Sequence, residues 1–275
     1  VFIFDKNKKK KNFMKNVLTL LVALTILAGC STVPLTGRKQ MMLVSEQDVL
    51  SSSLTQYHEF IDTAKISTNK AQTAQVVRVG RNIAAATEAY LKNNGMGDEV
   101  KNFSWEFNLV ADPTMNAFCM PGGKIVVYEG LMKIVNSDDE LAVVMGHEVA
   151  HAVAKHSNER MSQQIMTQYG AAILGAAISN KSAMVQDVTN VVYGLGSQYA
   201  VILPFSRKHE SEADYMGLIL MTMAGYNPEA AVGFWQKMSA GGSNVPEFLS
   251  THPSDSHRIQ DIKGYLPEVE KYRKK

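Results

Sequence analysis

Hydrophobic positions in this chain follow two periods. Over residues 46–60 and 70–93 apolar side chains recur every three to four positions, and both stretches read as helices. Val76, Val77, Ile83 and Ala84 mark the buried face of the second. Ser45 precedes the first as a cap, with Glu46 and Asp48 in the opening turn, and Gly95 stops the second. The period then shortens to two. Phe103, Trp105, Phe107 and Leu109 alternate with Ser104, Glu106 and Asn108, the pattern of a half-buried strand. Asp112-Pro113 turns the chain, Pro121-Gly122-Gly123 turns it again, and Lys124 to Tyr128 is a second β-rich run. Helical period returns at Ser137. A Ser-x-x-Glu box ending in Glu140 opens a helix expected over about 138 to 157. Further helices are expected over 207–223, from Pro228 to Met238 and from Ser254 to Ile262, with a break at Gly241-Gly242 and Pro246. Ala171 to Ile178 is apolar throughout, and a lid, a packed helix and a lipid-touching surface are all open to it.

Length and charge narrow the classes. The chain has 275 residues and a formal net charge of +2, enough for one or two domains. It carries no sustained basic face in its body, which argues against nucleic acid as a partner. The first thirty residues differ from the rest. Lys8 to Lys11 are basic, and Val17 to Gly29 is apolar or small. That core is short of the roughly 20 residues that cross a bilayer and suits a signal peptide. It ends Leu27-Ala28-Gly29-Cys30, which resembles a bacterial lipobox, with Cys30 the residue to be lipidated. Ser31 follows, with no aspartate there, which resembles an outer-membrane sorting pattern. The expected division is a signal peptide over 1–29, a lipidated N-terminus and linker over 30–44, and a single domain over 45–270. The remaining cysteine, Cys119, reads as a small buried hydrophobe. No later stretch reaches about 18 clean apolar residues.

The chemistry is carried by His147-Glu148-x-x-His151 within the helix opened at Ser137. Residues four apart share a helix face, so His147 and His151 can meet one metal ion. Glu148 lies beside them as a general base. This is the H-E-x-x-H pattern of zinc peptidases, in which the metal activates water. His156, five residues on, is off that face and reads as a surface residue. A third ligand is sought in residues 206–217, where His209, Glu210 and Glu212 are candidates. Glu210 with Asp214 four residues later fits a ligand and a carboxylate that orients a ligand histidine. Glu212 has Lys208 four residues before it and reads as a surface ion pair.

Taken together, His147-Glu148-x-x-His151 and Glu210-x-x-Ala213-Asp214 resemble the gluzincin family of HtpX and the CaaX prenyl protease. Asn116 to Gly123, Ser206-Arg207, and Thr251-His252-Pro253 with Arg258 are similar to its soluble, exported bacterial branch, which includes the outer-membrane proteases LoiP and BepA. The resemblance implies an α+β fold, mostly helical and zincin-like, with a small sheet beside the H-E-x-x-H helix. It implies one zinc ion held by His147, His151 and Glu210, with Glu148 as base and Asp214 behind a ligand. His252 is implied near the metal, either stabilising the oxyanion or closing the metal's open position at rest. Arg258 is implied to clamp substrate or the acid network. Gly123, Lys124, Ile125, Val126 and Val127 are expected on an edge strand to which a peptide adds by backbone hydrogen bonds. Cys119 departs from the small or apolar residue expected there and adds a redox-sensitive position. The implied function is a zinc metalloendopeptidase acting on unfolded or misfolded envelope polypeptides at the periplasmic face of the outer membrane, held to the membrane by its lipid. Outer-membrane assembly machinery is a further implied partner. The alternative is an envelope chaperone or assembly factor with a gated, low-turnover zinc site.

Overall fold

The computed structural model describes residues 30–179, 206–240, 247–252 and 257–273, without the side chains of 30, 168–179 and 247. The expected signal peptide over 1–29, the Cys30 side chain, the apolar side chains of 171–178, the break around Gly241-Gly242 and Pro246, Pro253 and the expected helix start at Ser254 lie outside the described residues.

Cys30–Thr32 (β1) and Lys39–Met41 (β2) pair antiparallel, Cys30 opposite Met41. The stretch expected to be a linker is therefore a hairpin. Its Pro34 and Gly37 are turn residues, with Leu35 and Gly37 at φ 66 and 68. Val33 and Gln40 are buried, and Val33 belongs to the main core. Glu46–Thr63 (α1) starts where expected, with Ser45 Oγ accepting from the Asp48 backbone N–H. Lys70–Asn93 (α2) follows.

The sheet has three strands, Glu106–Val110 (β3), Ala117–Met120 (β4) and Lys124–Tyr128 (β5), in the order β3-β5-β4. β3 runs parallel to β5, and β4 runs antiparallel to it. This corrects the expectation for Gly123 to Val127. Lys124 to Val127 form the central strand, paired on both sides and buried, so they offer no free backbone edge to a peptide. Gly123 is held at φ +81 with the Trp105 ring against it, where a side chain would collide. The β-rich composition of Lys124 to Tyr128 identifies β5 as a strand. Its neighbours are set by crossover connections, which the pattern does not encode.

A short helix, Glu129–Met132 (α3), leads to Asp138–Val153 (α4), capped by Ser137. α4 ends earlier than expected. The chain breaks at Ala154 and Lys155, the latter at φ 56, and a new helix runs over His156–Ser179 (α5). Arg207–Met223 (α6), Ala230–Ser239 (α7) and Glu247–Thr251 (α8) follow. The last helix, Arg258–Val269 (α9), continues seven residues past the expected Ile262. Among the described residues no helix is long and apolar enough to cross a membrane.

α4 is buried on nearly every side, because α2, the sheet, α6 and α7 all pack against it. Leu141, Val144, Met145 and Val149 join Met216, Ile219 and Leu220 of α6 in one continuous core. α4 and α6 touch backbone to backbone at Gly146 and Gly217. A Cβ on Gly217 would stand 2.7 Å from the His147 backbone nitrogen. The two small residues set the closeness of the helices that carry the candidate metal ligands.

Candidate metal centre

α4 carries His147, Glu148 and His151, and α6 carries Glu210 one turn inside its Ser206 cap. The structure brings them together. His147 Nε2 and His151 Nε2 are 3.1 Å apart. Glu210 Oε2 lies 3.2 Å from His147 Nε2, and Glu210 Oε1 lies 3.4 Å from His151 Nε2. His252, just past α8, puts Nδ1 3.1 Å from Glu210 Oε1 and 3.4 Å from His147 Nε2. One donor atom from each of His147, His151, Glu210 and His252 falls within 4.8 Å of every other.

These residues fit zinc. Ligands about 2.0–2.1 Å from a tetrahedral ion stand roughly 3.3 Å from one another, close to the separations seen here. Imidazole nitrogen and carboxylate oxygen are ordinary donors to that ion. Glu148 Oε1 is buried with no hydrogen-bond donor, and Glu210 Oε2 has only the His147 ring beside it. Such atoms are costly to bury unless something positive meets them. Burial by itself would raise the Glu210 carboxyl, but the His151 and His252 rings hold it well below its ordinary range. Burial pushes His147 down, yet Asp214 and Glu210 outweigh it and lift the ring to about 9. His151 is driven well down by burial.

Glu148 points from α4 to the sheet. Its Oε2 accepts the Cys119 backbone N–H at 3.0 Å, and its Oε1 lies 3.4 Å from His252 Nε2. Burial raises its proton affinity, which suits a group that must take a proton near neutral pH. The bond to Cys119 shows which way β4 faces. Its outer edge, on the side away from β5, turns toward the H-E-x-x-H helix, and no described strand pairs with it. Burial also pushes the Cys119 thiol well up, so the sulfur is a poor nucleophile.

Behind the ligands, Asp214 Oδ1 is 2.9 Å from His147 Nδ1. Arg258 Nη2 donates to the same oxygen at 2.6 Å, and its guanidinium stacks on the Trp235 ring at 3.4 Å. Arg258 is buried and takes part in the acid network. Of the two roles expected for it, substrate clamp or part of the acid network, the contact with Asp214 is the second.

Two residues expected on the surface are buried. The break at Ala154 and Lys155 swings His156 back under α4, so that its Nδ1 lies 2.9 Å from His151 Nδ1. His156 Nε2 meets Glu212 Oε2 at 3.0 Å. Glu212 binds Arg38 and Thr36 of the hairpin, and it is held to about 2: burial opposes this, and His156, Thr36 and Arg38 outweigh burial. The ion pair expected with Lys208 gives way to these partners. Arg38 also grips Glu159 of α5 at 2.6 and 2.8 Å, and His209 Nε2 meets Glu159 at 3.0 Å. His209 thus belongs to this second cluster and not to the four donors. Sequence reasoning missed Arg38, His156 and Glu159 as neighbours of the site. Helix spacing was applied to His156 across a break that no glycine or proline announces.

A model of peptidase family M48 matches residues 70–266. The mitochondrial metalloendopeptidase OMA1 of Schizosaccharomyces pombe is 37% identical over 201 residues, 72% of this chain and 54% of the relative. Human OMA1 is 26% identical over 276 residues, 98% of this chain and 52% of that protein. The beta-barrel assembly-enhancing protease of Escherichia coli is 29% identical over 167 residues, 58% of this chain and 34% of the relative. The chain spans about half the length or less of these curated relatives. With the matched span covering most of the sequence and both ligand-bearing helices, the chain belongs to peptidase family M48.

Proposed function

We propose that the chain is a zinc-dependent metalloendopeptidase that cuts unfolded or misassembled cell-envelope polypeptides. The observation that carries this is the cluster of His147, His151 and Glu210 with Glu148 beside it, next to the edge of β4 that no described strand pairs with. Zinc in this site would make water nucleophilic near neutral pH and polarise the scissile carbonyl. Glu148 takes the proton of the attacking water and returns it to the leaving amine. Asp214 holds His147 in the tautomer that turns Nε2 to the metal. A peptide lying along β4 would be bound by its backbone, which gives broad sequence acceptance.

The envelope part of the proposal has two supports. Lys8 to Lys11, the apolar core and Leu27-Ala28-Gly29-Cys30 suit an exported lipoprotein tethered to the periplasmic face of an outer membrane. Relatives from Yersinia pestis and Escherichia coli are named beta-barrel assembly-enhancing proteases. A second reading, a chaperone or assembly factor with low turnover, draws on His252, whose ring crowds the donor cluster.

Metal content and casein cleavage, wild type beside Glu148→Gln, test the catalytic part. One zinc per chain in both is expected, with cleavage lower in the variant by about 10²–10⁴-fold. Zinc in both with cleavage in neither would favour the second reading, and no zinc in folded protein would refute both. Labelling with radioactive palmitate in cells, lost in Cys30→Ser, tests the anchor.

A further inference from the structure

The two histidines of the H-E-x-x-H motif hold their outer nitrogens by different routes. His147 Nδ1 meets a carboxylate directly, Asp214, which Arg258 of the C-terminal helix grips. His151 Nδ1 meets another imidazole, the Nδ1 of His156, at 2.9 Å. His156 Nε2 meets Glu212 Oε2 at 3.0 Å, and Arg38 Nε of the N-terminal hairpin donates to that oxygen at 2.7 Å. Thr36 Oγ1 donates to the other Glu212 oxygen at 2.6 Å. Glu212 and Asp214 stand two residues apart on α6. Each stands in a row that runs from an arginine at one end of the fold to one ligand histidine.

One placement of protons satisfies the longer row. His151 offers a lone pair at Nε2 only when its proton sits on Nδ1. That proton is donated to the bare Nδ1 of His156. The proton of His156 then sits on Nε2 and is donated to Glu212, which is ionised beside Arg38. Both rings are neutral and every bond has one donor and one acceptor. Reversing His156 would set two N–H groups, one from each ring, against each other at 2.9 Å.

We infer that Arg38 and His156 are positioning residues of the metal centre: the row Arg38–Glu212–His156 fixes the tautomer and ring plane in which His151 meets zinc. The N-terminal hairpin is thereby part of the site, although it lies outside the matched span of 70–266. The rival is a plain structural clamp, because Arg38 also pairs with Glu159 at 2.6 Å. That second pair provides the control. Glu159→Gln weakens the clamp and removes none of the hydrogen bonds of the row to His151. The inference rests on the zinc-binding part of the proposed function and is independent of peptide cleavage.

The experiment uses the full chain and reads three quantities: zinc affinity by competition with a chromogenic chelator, thermal unfolding of the metal-free protein, and histidine tautomers by ¹⁵N NMR of the zinc-loaded protein. Arg38→Gln and His156→Phe are expected to weaken zinc binding about 10–100-fold, the usual effect of removing a partner behind a ligand histidine. His156→Gln, whose amide oxygen can accept the Nδ1–H of His151, should recover part of the loss. Glu159→Gln should lower metal-free stability and leave zinc affinity unchanged. Wild-type affinity in folded Arg38→Gln and His156→Phe would overturn the inference alone. So would a loss in Glu159→Gln equal to that in Arg38→Gln. A wild type that binds no zinc would overturn the metal-centre reading together with it. If His156→Phe fails to fold, Arg38→Gln, on the outer hairpin, decides.

Discussion

His252 is the residue on which the behaviour of the site turns. Its Nδ1 is within 3.1 Å of Glu210 Oε1, and its Nε2 is 3.4 Å from Glu148 Oε1. An imidazole there touches a ligand and the base at once. His252→Ala is expected to raise basal casein cleavage several-fold, on the order of 1 kcal/mol in the barrier, with zinc content unchanged. A purified variant with lower turnover would show instead that His252 stabilises the transition state. Cys119 carries a different prediction. Burial beside Glu148 raises its thiol, so iodoacetamide at neutral pH should modify it slowly and leave cleavage intact. Rapid alkylation with loss of activity would restore the redox-sensitive position expected from sequence. At this scale the pattern of residue types was informative wherever a motif fixes both type and spacing. His147, Glu148 and His151 were legible because H-E-x-x-H needs a continuous helix and α4 supplies one, whereas Glu210 was singled out by Asp214 four residues on and by the family resemblance. His156 was not, because its position depends on two backbone angles at Lys155.

Helix ends that carry capping side chains were readable, and those that end by backbone strain were not. Ser45 and Ser137 each accept a backbone N–H from the first turn of a helix as the chain announces, and Ser206 does the same for α6. The stop at Ala154 and Lys155 has no such mark. Strand positions were likewise legible for β5, while strand order was not, so the central strand was expected at the edge. The close crossing of α4 and α6 is a further property of pairs of elements. Gly146 and Gly217 look like two unremarkable glycines in the sequence, yet their contact places Glu210 beside the histidines. Gly217→Ala puts a methyl group against the His147 backbone and must push the helices apart. Overpacking of this kind costs about 1–3 kcal/mol, and here it also moves Glu210 away from His147. Thermal unfolding with and without zinc should show a lower metal-free midpoint and a smaller zinc-induced rise than in wild type. A normal zinc-induced rise would mean that the ligand geometry tolerates a wider crossing.

Across the whole molecule, the two ends of the described fold grip the same helix. Arg258 reaches Asp214 from the C-terminal side and Arg38 reaches Glu212 from the N-terminal hairpin. The family resemblance implied a place for Arg258 in the acid network, but the Arg38–Glu212 pair was not legible, since charge partners 174 positions apart leave no periodic trace in one sequence. The same hairpin arginine holds Glu159, and this pair predicts how stability depends on pH. Burial would raise the Glu159 carboxyl, but His209 and Arg38 hold it at about 2, against an ordinary value of 4.5. A carboxylate lowered in the folded state contributes stability above its unfolded pKa and loses it as pH falls through the folded value. The contribution of Glu159 is therefore complete above about pH 4.5 and fades between there and about pH 2. Glu159→Gln removes a group that binds fewer protons when folded than when unfolded. The variant should melt below wild type at pH 6, and the gap between the two should narrow as pH falls to 3. Both proteins are measured with zinc chelated, so that acid release of the metal does not enter. A gap that stays constant from pH 6 to pH 3 would mean that the Glu159 pair holds the hairpin by packing and neutral hydrogen bonds. It would then take no charge from Arg38, and the hairpin would stay docked in acid where the ion pair is lost.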